Sequence, residues 1–321
     1  MPPTRSAIAA IVAVSLHAVP AGAQAASKLD GYWQGNLAQR DGPLPVQMTL
    51  HTDSDGVLAG TMNFPTLRIR DIPVCHVQVH GTYIEFTNTG IPGGPTFRAV
   101  VTGDGTLDGD ALQSGRRAKF LLTRSSPPPP PSDSAAAAAG YRWPVPRCWG
   151  REEFALPPQF AADFPYHGEQ LSRLAPGFFG LDTDDRWSYV FAWWLTDSTA
   201  VDARGLTDAL NRYIRDQTKD AVPKPDPHLR NAPPVVIRAD LRPGPPTPSG
   251  APTYRGVIQT LDLLTPGHPT LTLRARIETR ACPVAHHQVV LVALTPADDN
   301  DPIWRELTRV AGTFQCDVTG S

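Results

Sequence analysis

Residues 127–140 read PPPPPSDSAAAAAG, and this stretch divides the chain into two halves. Proline fixes φ and removes the backbone N–H donor, so five consecutive prolines favour an extended polyproline II segment of about 3.1 Å per residue. The small residues that follow offer no large apolar side chain to a core. The sequence therefore predicts a semi-rigid linker over residues 126–140, between independently folded domains at 30–125 and 141–321.

The N-terminus has the pattern of a secretory signal peptide. Arg5 precedes a largely apolar stretch, Ala7–Leu16, and small residues at 21–25 permit cleavage. The apolar stretch is about half as long as the roughly 20 residues that a membrane-spanning helix requires. We therefore expect residues 1–25 to be removed and the mature protein to be periplasmic or extracellular (secreted), with no membrane span.

Charge and composition argue against several classes of function. The chain carries 29 basic and 31 acidic residues, for a formal net charge of −2. Basic and acidic residues alternate through both halves, so no clustered phosphate-binding surface is predicted and nucleic acid is not an expected partner. The sequence has no Cys-x-x-Cys spacing, which disfavours zinc, and we expect no metal or other cofactor.

Four cysteines in an exported chain predict two disulfides. Cys282 lies between two predicted strands, and Cys316 follows the last predicted helix on a short returning strand. These two can be neighbours and are predicted to pair. Cys75 and Cys148 then either pair across the linker, which would restrain the domains, or Cys75 is a buried thiol on an apolar strand face.

The first half has the alternation of antiparallel sheet. Apolar residues occupy every second position of Leu44–Leu50, and turn sequences such as Asp53–Gly56 and Gly103–Gly105 separate similar runs. About eight or nine short strands are predicted, with no helical period between them. Such a set closes most economically into an up-and-down barrel, because closure leaves no exposed edge.

Two short motifs in this half resemble the lipocalin-like (calycin) barrels. Gly31-Tyr32-Trp33 begins the first predicted strand, and Arg124 follows the last. The resemblance implies that Arg124 lies over the Trp33 indole at one closed barrel end, and that the interior can hold a small apolar ligand. Because the strands are short, side chains alone are nevertheless expected to fill this barrel.

The second half mixes helices and strands. Trp187–Leu195 is apolar on both faces and predicts a central strand with core aromatics rather than a carbohydrate-binding ladder. Helical spacing occurs over Leu206–Gln217 and again after Asp301, with four strands between. We predict an α+β sandwich, ferredoxin-like in outline, with both helices on one face of a mostly antiparallel sheet. Tyr141–Asp185 is expected to wrap around the sheet without regular structure.

No constellation of residues specifies a reaction. The wider pattern of the first half resembles the accessory lipocalin-like domain found ahead of α/β-hydrolase domains in exported bacterial enzymes, but no Gly-x-Ser-x-Gly nucleophile elbow follows. His167, Glu169 and Asp184 are the candidates for acid–base chemistry.

The sequence favours an exported, non-enzymatic binding or interaction protein, whose partner is a small apolar ligand or an envelope protein. The alternatives are a periplasmic or secreted hydrolase with a site around His167, and a structural envelope component.

Overall fold

The structure is a computed structural model, and it describes residues 28–67, 69–103, 105–127, 140–180, 182–196, 201–222 and 235–316. The predicted signal peptide and residues 128–139 of the predicted linker lie outside these ranges. Among the described residues, no helix is both long and apolar enough to cross a membrane.

Eight antiparallel strands form a closed barrel in the first half, as predicted. Each strand pairs with its neighbour in the chain, and the last pairs with the first. Trp33 thereby lies opposite Arg124, and Leu37 opposite Phe120. The strands are β1 (Gly31–Leu37), β2 (Leu44–Thr52), β3 (Leu58–Phe64), β4 (Ile69–His80), β5 (Tyr83–Asn88), β6 (Thr96–Val101), β7 (Thr106–Gln113) and β8 (Arg116–Ser125).

The barrel closes where β1 meets β8, and this seam requires a glycine. A Cβ atom at Gly35 would lie 1.9 Å from the carbonyl oxygen of Leu121 on β8. No side chain can occupy that position without moving the two backbones apart, so the residue type here permits the close approach of the strands.

A second, seven-stranded sheet makes up most of the second half, and all of its strand pairs are antiparallel. Along the chain the strands are β9 (Tyr141–Arg142), β10 (Gly150–Leu156), β11 (Gly168–Leu174), β12 (Tyr189–Leu195), β13 (Arg238–Pro243), β14 (Thr253–Leu261), β15 (Thr270–Cys282), β16 (His287–Thr295) and β17 (Gln315–Cys316). The sheet order is β10-β11-β12-β16-β15-β14-β13, whereas β9 and β17 pair separately.

Two helices, α1 (Ala203–Thr218) and α2 (Ile303–Gly312), cover opposite faces of this sheet. On β12, Phe191 and Trp193 share a core with α1, while Ala192 and Trp194 share a core with α2. The prediction that both helices lie on one face is therefore wrong, because β12 is apolar on both faces and each face needs a cover. The ferredoxin-like outline is not confirmed.

The segment Tyr141–Asp185 was also predicted wrongly, since it contains β10 and β11. The buried positions of β11 include Gln170, Ser172 and Arg173, which are polar. Each has hydrogen-bond partners: Trp193 donates to Gln170, Gln170 donates to Ser172, and Arg173 donates to the carbonyl oxygen of Trp143. Because most of its buried residues are polar, β11 lacks the apolar alternation from which a strand is predicted.

Both disulfides join distant parts of the chain. Cys282 at the end of β15 is bonded to Cys316 on β17, with a Cα–Cα distance of 5.5 Å. Cys75 on β4 of the barrel is bonded to Cys148 just before β10, also at 5.5 Å. The alternative that Cys75 is a buried thiol is therefore excluded. The Cys75–Cys148 bridge therefore joins the barrel covalently to the segment that leads into the sheet, at a second point besides the linker.

The buried carboxylate of Asp262 anchors the loop after β14. Arg186 donates to it at 2.9 Å, Trp187 at 2.9 Å and Thr265 at 2.7 Å, and the Leu264 N–H donates at 2.9 Å. Burial by itself raises the pKa of Asp262, but these hydrogen bonds together lower it from 3.8 to about 2.

Asp262 should therefore make stability acid-sensitive. A depressed folded-state pKa stabilises the protein above the unfolded pKa, and this contribution is lost as the pH falls from about 4 to about 2. We expect Asp262→Asn to lower the free energy of unfolding by about 2 kcal/mol at pH 7 and to flatten its pH dependence in that window. Urea denaturation at several pH values measures this. An unchanged acid slope would contradict the assignment.

Candidate ligand-binding cavity in the barrel

One end of the barrel is closed by the two residues that the calycin resemblance singles out. Trp33 is fully buried, and its indole N–H donates to the carbonyl oxygen of Leu29 at 3.0 Å. The guanidinium carbon of Arg124 lies 4.5 Å from the Trp33 ring centroid, and the group also donates to the carbonyl oxygens of Lys28 and Asp30. These contacts hold residues 28–30, which precede β1, across the end of the barrel.

Above this closure the barrel interior is packed. Phe86 stacks on Phe97 with a centroid separation of 4.9 Å, and Phe97 meets the edge of Phe120 at 5.5 Å. Met48 and Met62 are buried to 1% exposure or less beside them. This half of the interior has the side-chain filling that the short strands predict.

The opposite end of the barrel is open and contains a cavity of about 1180 Å³. Its floor is Phe97, and Leu37, Leu44, Phe64 and Ile69 contribute to its walls. The expectation that side chains alone fill the barrel is therefore wrong at this end. The reason is local, because two adjacent strands place small side chains at the wall of the cavity, with Ala111 on β7 directly opposite Ala118 on β8.

Polar residues surround the mouth of this cavity, and most of the charge is positive. Arg40, Arg116 and Arg117 line the rim together with a single acidic residue, Asp41. All four side chains are exposed, and within the described residues none of them forms an ion pair. Three free guanidinium groups against one carboxylate give the mouth a positive potential.

The arrangement suits an amphiphile with one anionic group. Ligand pockets commonly have volumes of about 300 to 1,000 Å³, so this cavity is large enough for a long apolar chain. Apolar walls favour burial of that chain, and guanidinium groups bind carboxylate, phosphate or sulfate oxygens with paired hydrogen bonds. Among the described residues that line the cavity, no nucleophile with an adjacent general base is found.

The predicted acid–base residues lie elsewhere. His167 precedes β11 and Glu169 lies within it, both exposed, and the Tyr141 hydroxyl donates to Glu169 at 3.4 Å. Asp184 lies in a turn beyond the other end of the same strand, which is about 20 Å long. The structure thus places His167 near Glu169 but far from Asp184. A catalytic role for His167 stays a prediction.

No metal-binding cluster accompanies these residues. Over the part of the chain that the structure describes, no group of three or more His, Cys, Asp or Glu side chains is arranged to hold an ion.

Sequence reasoning did not identify the rim residues. One signal was present, because Arg116 and Arg117 directly follow the turn Gln113–Gly115 and so must lie at a strand end. What the sequence alone does not reveal is that this end is the open one.

Comparison with known proteins identifies no relative in sequence. No family model matches the chain, and no curated protein matches it. A crystal structure of MucB in complex with MucA(peri) is 10% identical, covering 93% of this chain and 97% of that chain at a TM-score of 0.19. The Pseudomonas aeruginosa MucA/MucB complex gives 10% identity, the same coverage and a TM-score of 0.20.

A structure from Bacteroides fragilis, provisionally described as an outer membrane protein, is 7% identical and covers 84% of this chain and 98% of that chain at a TM-score of 0.22. At TM-scores this low, none of these similarities supports a conclusion about fold or function.

Proposed function

We propose that this chain is an exported, non-enzymatic binding protein that holds the apolar part of an anionic amphiphile in the mouth of its barrel. The observation that carries the proposal is the open apolar cavity beneath three arginines that have no acidic partner among the described residues. The predicted signal peptide and the two disulfides support an extracytoplasmic location.

Affinity should depend on both parts of the ligand. Burial of about ten methylene groups contributes roughly 8 kcal/mol, at about 0.8 kcal/mol each. Lost translational and rotational freedom offsets at least about 4 kcal/mol of this gain. The apolar chain alone is therefore a weak ligand. The contacts between the anionic group of the ligand and the arginine rim determine whether the dissociation constant reaches the micromolar range.

The first test compares a fluorescent fatty acid of about 12 carbons, which is small enough for the cavity, with its methyl ester. We expect the acid to bind about tenfold more tightly than the ester, and the double variant Arg116→Gln/Arg117→Gln to abolish that difference. Lys119→Gln is the matched control, because Lys119 is a basic residue of the same strand that does not line the cavity. Equal affinity of wild type for both probes would refute the anionic specificity.

The second test fills the cavity. Ala118→Trp should abolish binding of both probes, because the indole occupies the space above Phe97 that the apolar chain needs. Leu121→Trp, at an exposed position on the outside of β8, should leave binding unchanged. Probe binding that survives Ala118→Trp in a protein with a normal circular dichroism spectrum would show that the barrel mouth is not the site.

A further inference from the structure

One face of the seven-stranded sheet is open at the edge farthest from β10. The helix α2 covers this face over β12 and β16, and its Trp304 meets Arg276 of β15, so the most exposed outer side chains are those of β13 and β14. Arg238, Asp240 and Arg242 of β13 are exposed there, as are Arg255 and Val257 of β14.

Three arginines form a line across this open face. Arg242 on β13 lies directly opposite Arg255 on β14, which lies directly opposite Arg276 on β15. Residues opposite one another in antiparallel strands project from the same face, and adjacent strands are about 4.8 Å apart. The three side chains, named here the arginine row, therefore leave the sheet along a line of about 10 Å.

The arginine row is unfavourable for the isolated protein. Like charges directly opposite one another destabilise a sheet. Arg276 is partly compensated, since it stacks on Trp304 at 3.9 Å and lies 3.7 Å from Asp299. Arg242 and Arg255 form no ion pair with any residue of the described ranges. Two adjacent guanidinium groups are thus left for an external anion.

Acidic residues flank the arginine row on both sides. Asp240 lies two positions before Arg242 on β13, opposite Val257, and Glu278 lies two positions after Arg276 on β15, opposite Thr253. Asp240 repels a continuous anionic surface such as a phospholipid bilayer, whereas Glu278 is paired with Arg280 at 3.4 Å, and both carboxylates lie off the row. They do not obstruct a single line of carboxylates from a partner that approaches along the arginine row.

We propose that the arginine row docks an acidic helix of a partner protein. Side chains at i and i+4 of a helix have Cβ atoms about 5 to 6 Å apart, which matches the spacing of arginines on adjacent strands. Glutamates at i and i+4 can therefore meet Arg242 and Arg255 with bidentate hydrogen bonds, while a third glutamate at i+8 lies beside the partly compensated Arg276. Val257, beside the row and 38% exposed, provides an apolar contact for the same helix.

The test uses the mature, oxidised full chain and two synthetic peptides of about 17 residues, a length that permits helix formation in isolation. One peptide carries three glutamates at i, i+4 and i+8 on an alanine and glutamine background, and the other has the same composition with its glutamates on three different faces. Titration calorimetry should give an affinity at least about tenfold higher for the spaced peptide, and salt should weaken this binding.

Arg255→Gln is the decisive variant. It should weaken binding of the spaced peptide about tenfold while raising the thermal midpoint of the free protein by about 1 to 2 °C, because it removes the central like charge. A merely structural arginine would not give both effects. Arg204→Gln, which removes an exposed arginine from α1 on the other face of the sheet, should change neither quantity.

Three results would overturn the proposal. One is equal affinity for the two peptides, and another is no detectable binding of the spaced peptide at about 1 mM, the limit of weak specific association. The third is Arg255-dependent sedimentation with phosphatidylglycerol vesicles in the absence of peptide binding, which would assign the row to a membrane surface.

Discussion

Replacing Trp193 with alanine is expected to lower the free energy of unfolding by about 4 to 5 kcal/mol. Trp193 is fully buried in the core beneath α1 and packs against the rings of Phe164 at 5.0 Å and Phe191 at 5.3 Å. Its indole N–H donates to Gln170 at 2.9 Å. Alanine leaves a large cavity and deprives the buried Gln170 oxygen of its donor, so two unfavourable effects add.

Urea denaturation followed by far-ultraviolet circular dichroism measures this change, because the signal does not depend on the removed indole. Trp193→Phe is the matched control: it retains most of the ring volume but loses the hydrogen bond, and should cost about 2 kcal/mol. A loss below about 2 kcal/mol for the alanine variant would mean that this core is not closely packed.

Removing the Cys75–Cys148 disulfide is expected to lower the free energy of unfolding by roughly 4 kcal/mol. The two cysteines are 73 residues apart, and cross-linking a loop of that length constrains the unfolded chain strongly. We therefore expect the Cys75→Ala/Cys148→Ala variant to unfold at a lower urea concentration. Arg147, which lies 2.8 Å from Asp53 and 3.1 Å from Asp55, cannot replace the bridge because exposed ion pairs contribute little.

The same double change at Cys282 and Cys316 provides the comparison, since those residues are 34 apart and the shorter loop should give a loss smaller by under about 1 kcal/mol. Stability of the Cys75→Ala/Cys148→Ala variant equal to that of the wild type, with Cys282 and Cys316 still bonded, would contradict the prediction.

Patterns that are local in sequence were interpreted correctly. The alternation of Leu44–Leu50 predicted β2, and the doubly apolar Trp187–Leu195 predicted the central strand β12. The helical spacing of Leu206–Gln217 predicted α1, and in the structure Asp202 caps this helix, since its carboxylate accepts from the Gly205 N–H at 2.7 Å. Each of these features depends on residues that are close in sequence, so the spacing of those residues is enough to predict it.

Interpretation failed where partners distant in sequence determine a residue's environment. Gln170 is polar, yet it is buried because Trp193 on β12 donates to its side-chain oxygen, and Gln170 in turn donates to the buried Ser172. The two helices lie on opposite faces of the sheet because β12 needs cover on both sides, and chain order does not say which helix covers which face.

By itself the sequence determined the strand-rich first half, the closure of the barrel, the two helices and the residue types that can form a core, because period and turn chemistry are properties of short segments. Only the tertiary structure decided which barrel end is open and that Arg242, Arg255 and Arg276 share one line. Both depend on strand register, and a shift of one residue in register would turn each side chain to the other face of its sheet.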